Sequence, residues 1–355
     1  MCQSNGSGGG TVCLRQNHRP GELQRARLRR LLFSRCAVEG LVGFENKRAI
    51  FPIHRSVRFL LLSATAGSPT SAIGCRLGEV DPGVLERDTE AERSSWFPLK
   101  VTPALLERLS GDDLTLPDLR TPLDLAIAER AATLFPALGA ATGWGVRFGR
   151  ELNATEDRGS FSPPGRGLPV IEGRLIDPFR ARPGDARFSV AAREASRHLG
   201  DRHQHPRVAY RDVASATNRV TLIAAILPAG CVSTHTVFCL RTRLPIRAQH
   251  FLCGMFNSLV VNYLVRLRVT THVTTSIVER LPMPAADQAA AAFAEIAAMA
   301  RCLRRRHDPD LFARLNARVG RLYELNNEEF GHILSTFPLV PQEERDRAMR
   351  AFRQT

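Results

Sequence analysis

Few residues here are of types that do chemistry alone. The cysteines are Cys2, Cys13, Cys36, Cys75, Cys231, Cys239, Cys253 and Cys302. No two form a CxxC pair, and none sits at zinc-ligand spacing with a histidine. Reduced, mostly buried thiols in a cytoplasmic protein are expected. His198, His203 and His205 lie close together in RHLGDRHQH. A metal needs ligands fixed on one element and a satisfied second shell. This segment reads as a solvated polar loop, so no metal is expected. Gly8-Gly9-Gly10 has the look of a phosphate loop, but no strand precedes it and no Gly-Lys-Ser/Thr follows.

The composition is that of an ordinary globular protein. The chain has 355 residues, 44% hydrophobic and 24% charged, which as a prior means about two domains. No apolar run reaches the ~18 residues of a membrane span, so no membrane partner is expected. MCQSNGSGGGTVCLRQ also lacks the apolar core of a signal peptide. Of the 49 Lys and Arg residues only Lys47 and Lys100 are lysine, a ratio that codon bias can produce. The net charge of +14 is a separate matter. Its field attracts phosphate backbones and points to a nucleic acid, without saying which sequence is read.

The elements that would position any site read as mixed α/β. Residues 1–22 are polar and Gly-rich and are expected to be disordered. A short helix is expected over 23–35, from Leu23, Leu28, Leu31 and Leu32 among arginines. Strand-like runs follow at Ala37–Phe44, Val57–Thr65 and Ala72–Arg76. VRFLLLSAT is almost continuously apolar, as suits a strand buried on both faces of a parallel sheet. Further helices are expected near 82–92, 102–110 and 121–141, the last opened by Pro122. Short strands and turns alternate from 143 to 240, with 180–206 reading as loop. Residues 247–266 carry Phe251, Met255, Leu259 and Tyr263 four apart, which predicts one helix. An Ala-rich helix over 286–306 and about three more complete an all-helical tail.

Four segments in this order match a known family. They are GFENKRAIFPIHRSVRFLLLSA (43–64), GWGVRFGRELNATEDRGSF (143–161) with LPVIEGRLIDPF (168–179), YRDVASATNRVTLIAAILPAG (210–230), and FNSLVVNYLVRLRVTTHVTTSIVERLPMP (256–284). LNARVGRLYELNNEEFGHILSTFP (315–338) adds to them. Together they resemble the C-terminal half of adenine-specific DNA methyltransferases of restriction–modification and phage-defence systems. Those are type IIG-like enzymes with a TaqI-like specificity domain. The resemblance implies the remnant of a Rossmann-like methyltransferase sheet over 23–120. It implies an α+β target-recognition domain over 121–284 and a helical tail over 285–355. It also implies double-stranded DNA as partner and a family reaction that moves a methyl group from S-adenosylmethionine to adenine N6, on a base flipped out of the duplex.

The family's catalytic tetrapeptide, Asn/Asp-Pro-Pro-aromatic, is absent. The nearest string, Ser162-Pro163-Pro164-Gly165, lacks the aromatic and reads as a turn. The Gly-rich turn and following acidic residue of an S-adenosylmethionine site are absent too. No catalytic or cofactor-binding residue is therefore expected, and the chain reads as starting after the chemistry. Residues 23–76 are then expected to be unstable alone, with an exposed apolar edge at Val57–Thr65, or to be completed by a separately encoded N-terminal methyltransferase subunit.

Polar positions within the matched segments supply the candidates for DNA contact: Arg147, Arg150, Asn153, Arg174, Arg211, Asn218, Arg219, Arg268 and His272. Arginine bridges O6 and N7 of guanine, and asparagine does the same for N6 and N7 of adenine. Each has a structural alternative. Arg150 can pair with Glu151 on the surface, Asn218 can shape a turn, and Arg268 and His272 can complement a helix C-terminus. Asn257 and Ser258 interrupt an apolar helix and are expected to satisfy buried backbone or to pack at a helix crossing. Other readings are a restriction endonuclease subunit, for which Lys47 and Lys100 have no carboxylate–lysine context, and an inert truncated fragment. A further one is an interaction module docking through Phe293, Ile296, Ala300 and Leu303.

Overall fold

The computed structural model describes residues 3–4, 9–15, 22–55, 57–86, 96–213, 218–269 and 272–355. The chain divides into two compact units, Met1–Glu129 and Arg130–Thr355. The division falls nine residues beyond the expected 120/121 boundary, because it cuts within a helix, Pro122–Leu134, that the sequence placed wholly in the second domain.

The first unit is built on one sheet. Its strands are β1 (Gln3–Ser4), β2 (Gly9–Arg15), β3 (Cys36–Glu45), β4 (Arg58–Ala66), β5 (Ile73–Glu79) and β6 (Leu99–Val101), in the order β1-β2-β4-β3-β5-β6. The helices are α1 (Glu22–Arg35), α2 (Pro103–Ser110) and α3 (Pro122–Leu134). Helix α1 and the three strand runs lie where the hydrophobic pattern placed them. Two expectations fail. Residues 9–15 are a strand, with Gly9 opposite Thr65 and Arg15 opposite Phe59; the rest of the segment expected to be disordered lies outside the described residues apart from β1 and Glu22, which opens α1. Strand β4 is central and antiparallel to both β2 and β3, so the expected apolar edge is covered within this chain. Only Phe59 and Leu62 of β4 are buried, so its apolar run is half-covered rather than enclosed on both faces.

Packing in this unit is aromatic. Phe44 and Phe59 stack with centroids 5.1 Å apart, in a cluster with Val42 and Val84 that Trp96 and Phe97 flank. A Cβ at Gly74 would lie 2.6 Å from the Phe97 ring, so only glycine admits the ring here. Asn46 closes the turn after β3. Its Nδ2 donates to Phe51 O and Ile53 O at 3.1 and 3.0 Å, and its Oδ1 accepts from Phe51 N.

The second unit packs short sheets against helices. Its strands are β7 (Phe148–Gly149), β8 (Phe161–Ser162), β9 (Leu168–Ile171), β10 (Ile176–Asp177), β11 (Arg180–Ala181), β12 (Ser189–Val190), β13 (Arg207–Arg211), β14 (Ala224–Leu227), β15 (Val232–Ser233) and β16 (Val237–Leu240). One sheet runs β14-β13-β16-β7 and is antiparallel throughout. Another runs β15-β9-β12-β8, with β15 parallel to β9; β10 and β11 form a hairpin. The helices are α4 (Ala192–Leu199), α5 (Ile246–Asn257), α6 (Leu259–Arg266), α7 (Thr275–Glu279), α8 (Ala286–Arg305), α9 (Pro309–Leu322), α10 (Asn327–Ser335) and α11 (Gln342–Gln354). Helix α4 lies in a stretch read as loop, because its arginines hide an apolar pair, Ala195 and Leu199, spaced four apart and buried. The mixed α/β architecture and the helical tail are as expected.

The expected single helix over 247–266 is two. Ser258 takes an extended conformation, its hydroxyl donates to Met255 O, and it accepts from Val261 N as the cap of α6. The side chains beside the break then serve strand backbone. Asn262 Oδ1 accepts from Thr221 N and Leu222 N at 2.8 and 2.7 Å, and Asn257 exchanges hydrogen bonds with Ala224 N and O at 3.1 and 2.8 Å. Both asparagines are buried and satisfy buried backbone, a role read from sequence for Asn257 but not for Asn262. Helix α8 lies along α5 at close range. A Cβ at Gly254 would meet Ile296 at 2.7 Å. Ile296, Ala300 and Leu303 are buried there and Phe293 packs on Phe251, so this stripe covers the chain's own core and offers no docking face.

The pairing of Arg207 with Glu151 joins the sheets. Arg207 Nε and Nη2 reach the two carboxylate oxygens at 2.6 and 2.7 Å, both side chains being at most 5% exposed. Glu151 also accepts from Ser233 N and Oγ, and Arg207 donates to Cys231 O. Glu151 is therefore not the surface partner of Arg150. Removing one member strands the other's charge in the interior, at a cost of about 3–5 kcal/mol. Arg207→Ala and Glu151→Ala are each expected to lower the urea-unfolding free energy by that amount. The double variant should cost much less than the sum, and strict additivity would show that the pair is not coupled.

A second carboxylate gives the tail its acid dependence. Burial tends to raise the Glu329 pKa, but Arg130 at 2.5 Å and the Asn326 N–H outweigh it and hold it below the ordinary 4.5. That stabilisation is complete above 4.5 and is lost as pH falls through the depressed value. The stability gap between wild type and Glu329→Gln should be widest at neutral pH and close in acid. A gap independent of pH would exclude this.

Candidate nucleic-acid interface

Four of the nine candidates, Arg150, Arg174, Arg211 and His272, gather around the end of β13. Strand β13 ends at Arg211, which Asp212 and the exposed Val213 follow. Asp212 is buried and accepts from two exposed side chains, Arg150 Nη2 at 2.8 Å and His272 Nδ1 at 3.2 Å. Arg150 also lies over the Phe238 ring, 5.0 Å from its centroid. The Asp212 backbone is pinned on both sides, its N–H donating to Thr236 O at 3.0 Å and its carbonyl accepting from Val273 N at 2.8 Å. Val213 and His272 form an antiparallel bridge.

Beside this cluster is an open depression of about 360 Å³, lined by Glu172, Gly173, Arg174, Arg211, Val213 and Thr236. Arg174 is held to Glu172 at 3.1 Å, and Arg187 reaches the same carboxylate at 2.5 Å. The Arg187 hydrogen bond, against burial and with help from Arg174, keeps the Glu172 pKa below its ordinary value. Arg211 donates to Ile176 O and Asp177 at 2.5 and 3.2 Å, and burial lowers its pKa. Asn153 belongs to the neighbouring loop. Its Oδ1 accepts from Thr155 N at 3.0 Å, while the next residue's N–H donates to His235 Nδ1 at 3.1 Å. The surface thus carries exposed guanidinium groups, each oriented by a carboxylate or carbonyl, on loops fixed by sheet ends.

The other four candidates are tied elsewhere. Arg147 donates to the carbonyls of Gly139 and Val146. Arg219 pairs with Glu344 at 2.5 Å. The Asn218 carbonyl accepts from Arg266, which fits the turn role. Arg268 folds back on its own helix and donates to Leu264 O at 2.7 Å, and burial pushes its pKa down to about 10. That geometry serves the helix C-terminus rather than a phosphate.

Asp212, on which Arg150 and His272 converge, is not among the nine candidates from sequence. Its partners lie about 60 residues away on both sides, so no local pattern exposes them. Val213 is not among the candidates either.

The histidines of RHLGDRHQH diverge. His203 is buried, while His198 and His205 face Asp157 and Asp201 at 3.9 and 3.4 Å. Among the described residues no group of three or more His, Cys, Asp or Glu is placed to hold a metal, and no helix is long and apolar enough to cross a membrane. The turn after strand β3 does not have the form an S-adenosylmethionine site needs. Strand β3 leads into the 3-10 turn Asn46–Arg48, closed by the Asn46 side chain, and not into a Gly-rich turn opening a helix. Pro163 of the Ser-Pro-Pro-Gly string accepts from Ser189 Oγ at 2.6 Å in an exposed turn. Cys75, Cys231, Cys239 and Cys253 are buried free thiols, and Cys302 is exposed.

No family model and no curated protein matches the chain. Solved structures show a distant likeness. The type IIG restriction endonuclease BpuSI is 10% identical, over 97% of this chain and 47% of its own, with a TM-score of 0.43. MmeI, a type IIL restriction–modification enzyme solved in complex with DNA, is 11% identical over 93% and 47%, also with a TM-score of 0.43. The HsdS subunit from Thermoanaerobacter tengcongensis is 18% identical over 57% and 50%, with a TM-score of 0.25. The chain spans about half the length of each.

Asp212→Ala separates positioning from net charge. The variant gains positive charge, so purely electrostatic binding to random duplex should tighten. Because Arg150 and His272 lose their anchor, discrimination between duplexes is expected to fall. An unchanged ratio of best to random duplex would show that Asp212 positions nothing.

Proposed function

We propose that the Arg130–Thr355 unit is the target-recognition part of a restriction–modification enzyme, holding double-stranded DNA against the strip around Asp212. The observation that carries this reading is the pair of exposed donors, Arg150 and His272, oriented by one buried carboxylate beside Arg174 and Arg211. An arginine held in fixed geometry can bridge O6 and N7 of guanine, whereas contacts to phosphate position the duplex without carrying sequence information. The net charge of +14 supplies the sequence-independent part of the affinity. The ordered match of four segments extends the reading to an adenine-specific, type IIG-like enzyme of phage defence with a TaqI-like specificity domain. In that enzyme S-adenosylmethionine donates the methyl group. The sequence lacks the family's Asn/Asp-Pro-Pro-aromatic tetrapeptide, and in this reading a methyltransferase part, encoded with it or as a separate subunit, carries out that step.

Selection from a random duplex pool at two salt concentrations tests the reading. A short motif retained at the higher salt is expected. Arg150→Ala and Arg174→Ala should each cost about 1–3 kcal/mol on that motif if they contact bases. If they contact phosphate, each should reduce the salt slope by about 0.9 without changing the motif. Binding that collapses with salt and enriches nothing would refute recognition.

A further inference from the structure

The exposed large hydrophobic residues among those described are Leu28, Leu31, Phe51, Leu85, Val213, Ile246 and Leu339. Of these, Val213 lies in the cationic strip. It is 62% exposed and lines the depression with Arg174 and Arg211. Its position is held. Val213 bridges His272, and the preceding residue is hydrogen-bonded through both its N–H and its C=O to Thr236 and Val273. Valine is stiff at χ1, so the two methyl groups are presented with little freedom left to lose. Exposing an aliphatic group on a fixed backbone among cations gains nothing for folding.

We propose that Val213 is a specificity-determining residue that packs against the C5-methyl group of a thymine in the major groove. This inference rests on the DNA-recognition reading above. The chemistry is selective. The thymine methyl is the one apolar group that the major-groove edge of a base pair presents, and aliphatic side chains contact it. The flanking arginines supply what an aliphatic group cannot, contacts to phosphate or guanine that bring the groove edge to Val213. Burial of one methyl group is worth roughly four-fold in affinity.

The test uses the full chain, the duplex motif it selects, and duplexes in which each thymine in turn is replaced by deoxyuridine, which lacks only that methyl. Wild type is expected to lose roughly four-fold at one position and little elsewhere. Val213→Ala should bind the thymine duplex correspondingly less well and be indifferent to deoxyuridine at that position. An unchanged urea-unfolding midpoint would show that the exposed substitution leaves the fold intact. Equal deoxyuridine losses in wild type and variant would overturn the proposal, as would a selected motif without thymine. So would weakened binding by Val213→Ala without any deoxyuridine effect, which would mark Val213 as a wedge between base steps. If wild type selects no motif, the recognition reading itself has failed and this inference with it. A motif that is selected but indifferent to Val213 removes this inference alone.

Discussion

The second unit depends on a charge pair that water does not reach. Glu151 follows the short strand β7 and its side chain points inward, where Arg207 at the start of β13 and Ser233 on β15 use both of its oxygens. Strands of two to five residues bury too little to fix their own register. A carboxylate that must find all these donors fixes it for them, because any slip leaves an ionised group unpaired in the interior. The pair need not add net stability compared with apolar residues of the same size. What it supplies is uniqueness of the strand arrangement.

From that anchor the geometry propagates along β13. Arg207 sits at one end of the strand and Arg211 at the other, with Asp212 and Val213 following. Once Arg207 is fixed, the far end is fixed too, and with it the carboxylate that orients Arg150 and His272. Behind the sheet, the break at Ser258 frees Asn257 and Asn262 to hydrogen-bond the backbone leading into β14, β13's neighbour. The helical layer thereby supports the sheet through directed hydrogen bonds as well as apolar contact. In unit one, β2 pairs along β4 and removes the edge that an apolar strand would otherwise expose.

The sequence by itself determined the elements whose signal is local. The apolar runs at 36–45, 58–66 and 73–79 and the 3.6-residue pattern of the tail are legible because burial on one face leaves a period in the chain. The +14 charge is likewise a property of composition, whereas the reading that no strand precedes Gly8-Gly9-Gly10 fails, because the two-residue strand β1 (Gln3–Ser4) is too short to leave a hydrophobic period. The tertiary structure alone decided the rest. An apolar run does not reveal whether its neighbours are parallel or antiparallel, so β4 was misread. A four-residue periodicity through 247–266 does not register one extended residue, because Ser258 sits in the apolar stripe. Arg268 and Arg150 are equivalent as residue types near element ends. One folds back onto Leu264 and the other is held outward by Asp212, which is far away in sequence and whose position is set by strand pairing. Which cations are available to a partner is therefore decided by where the buried carboxylates fall, and that is a property of the assembled fold.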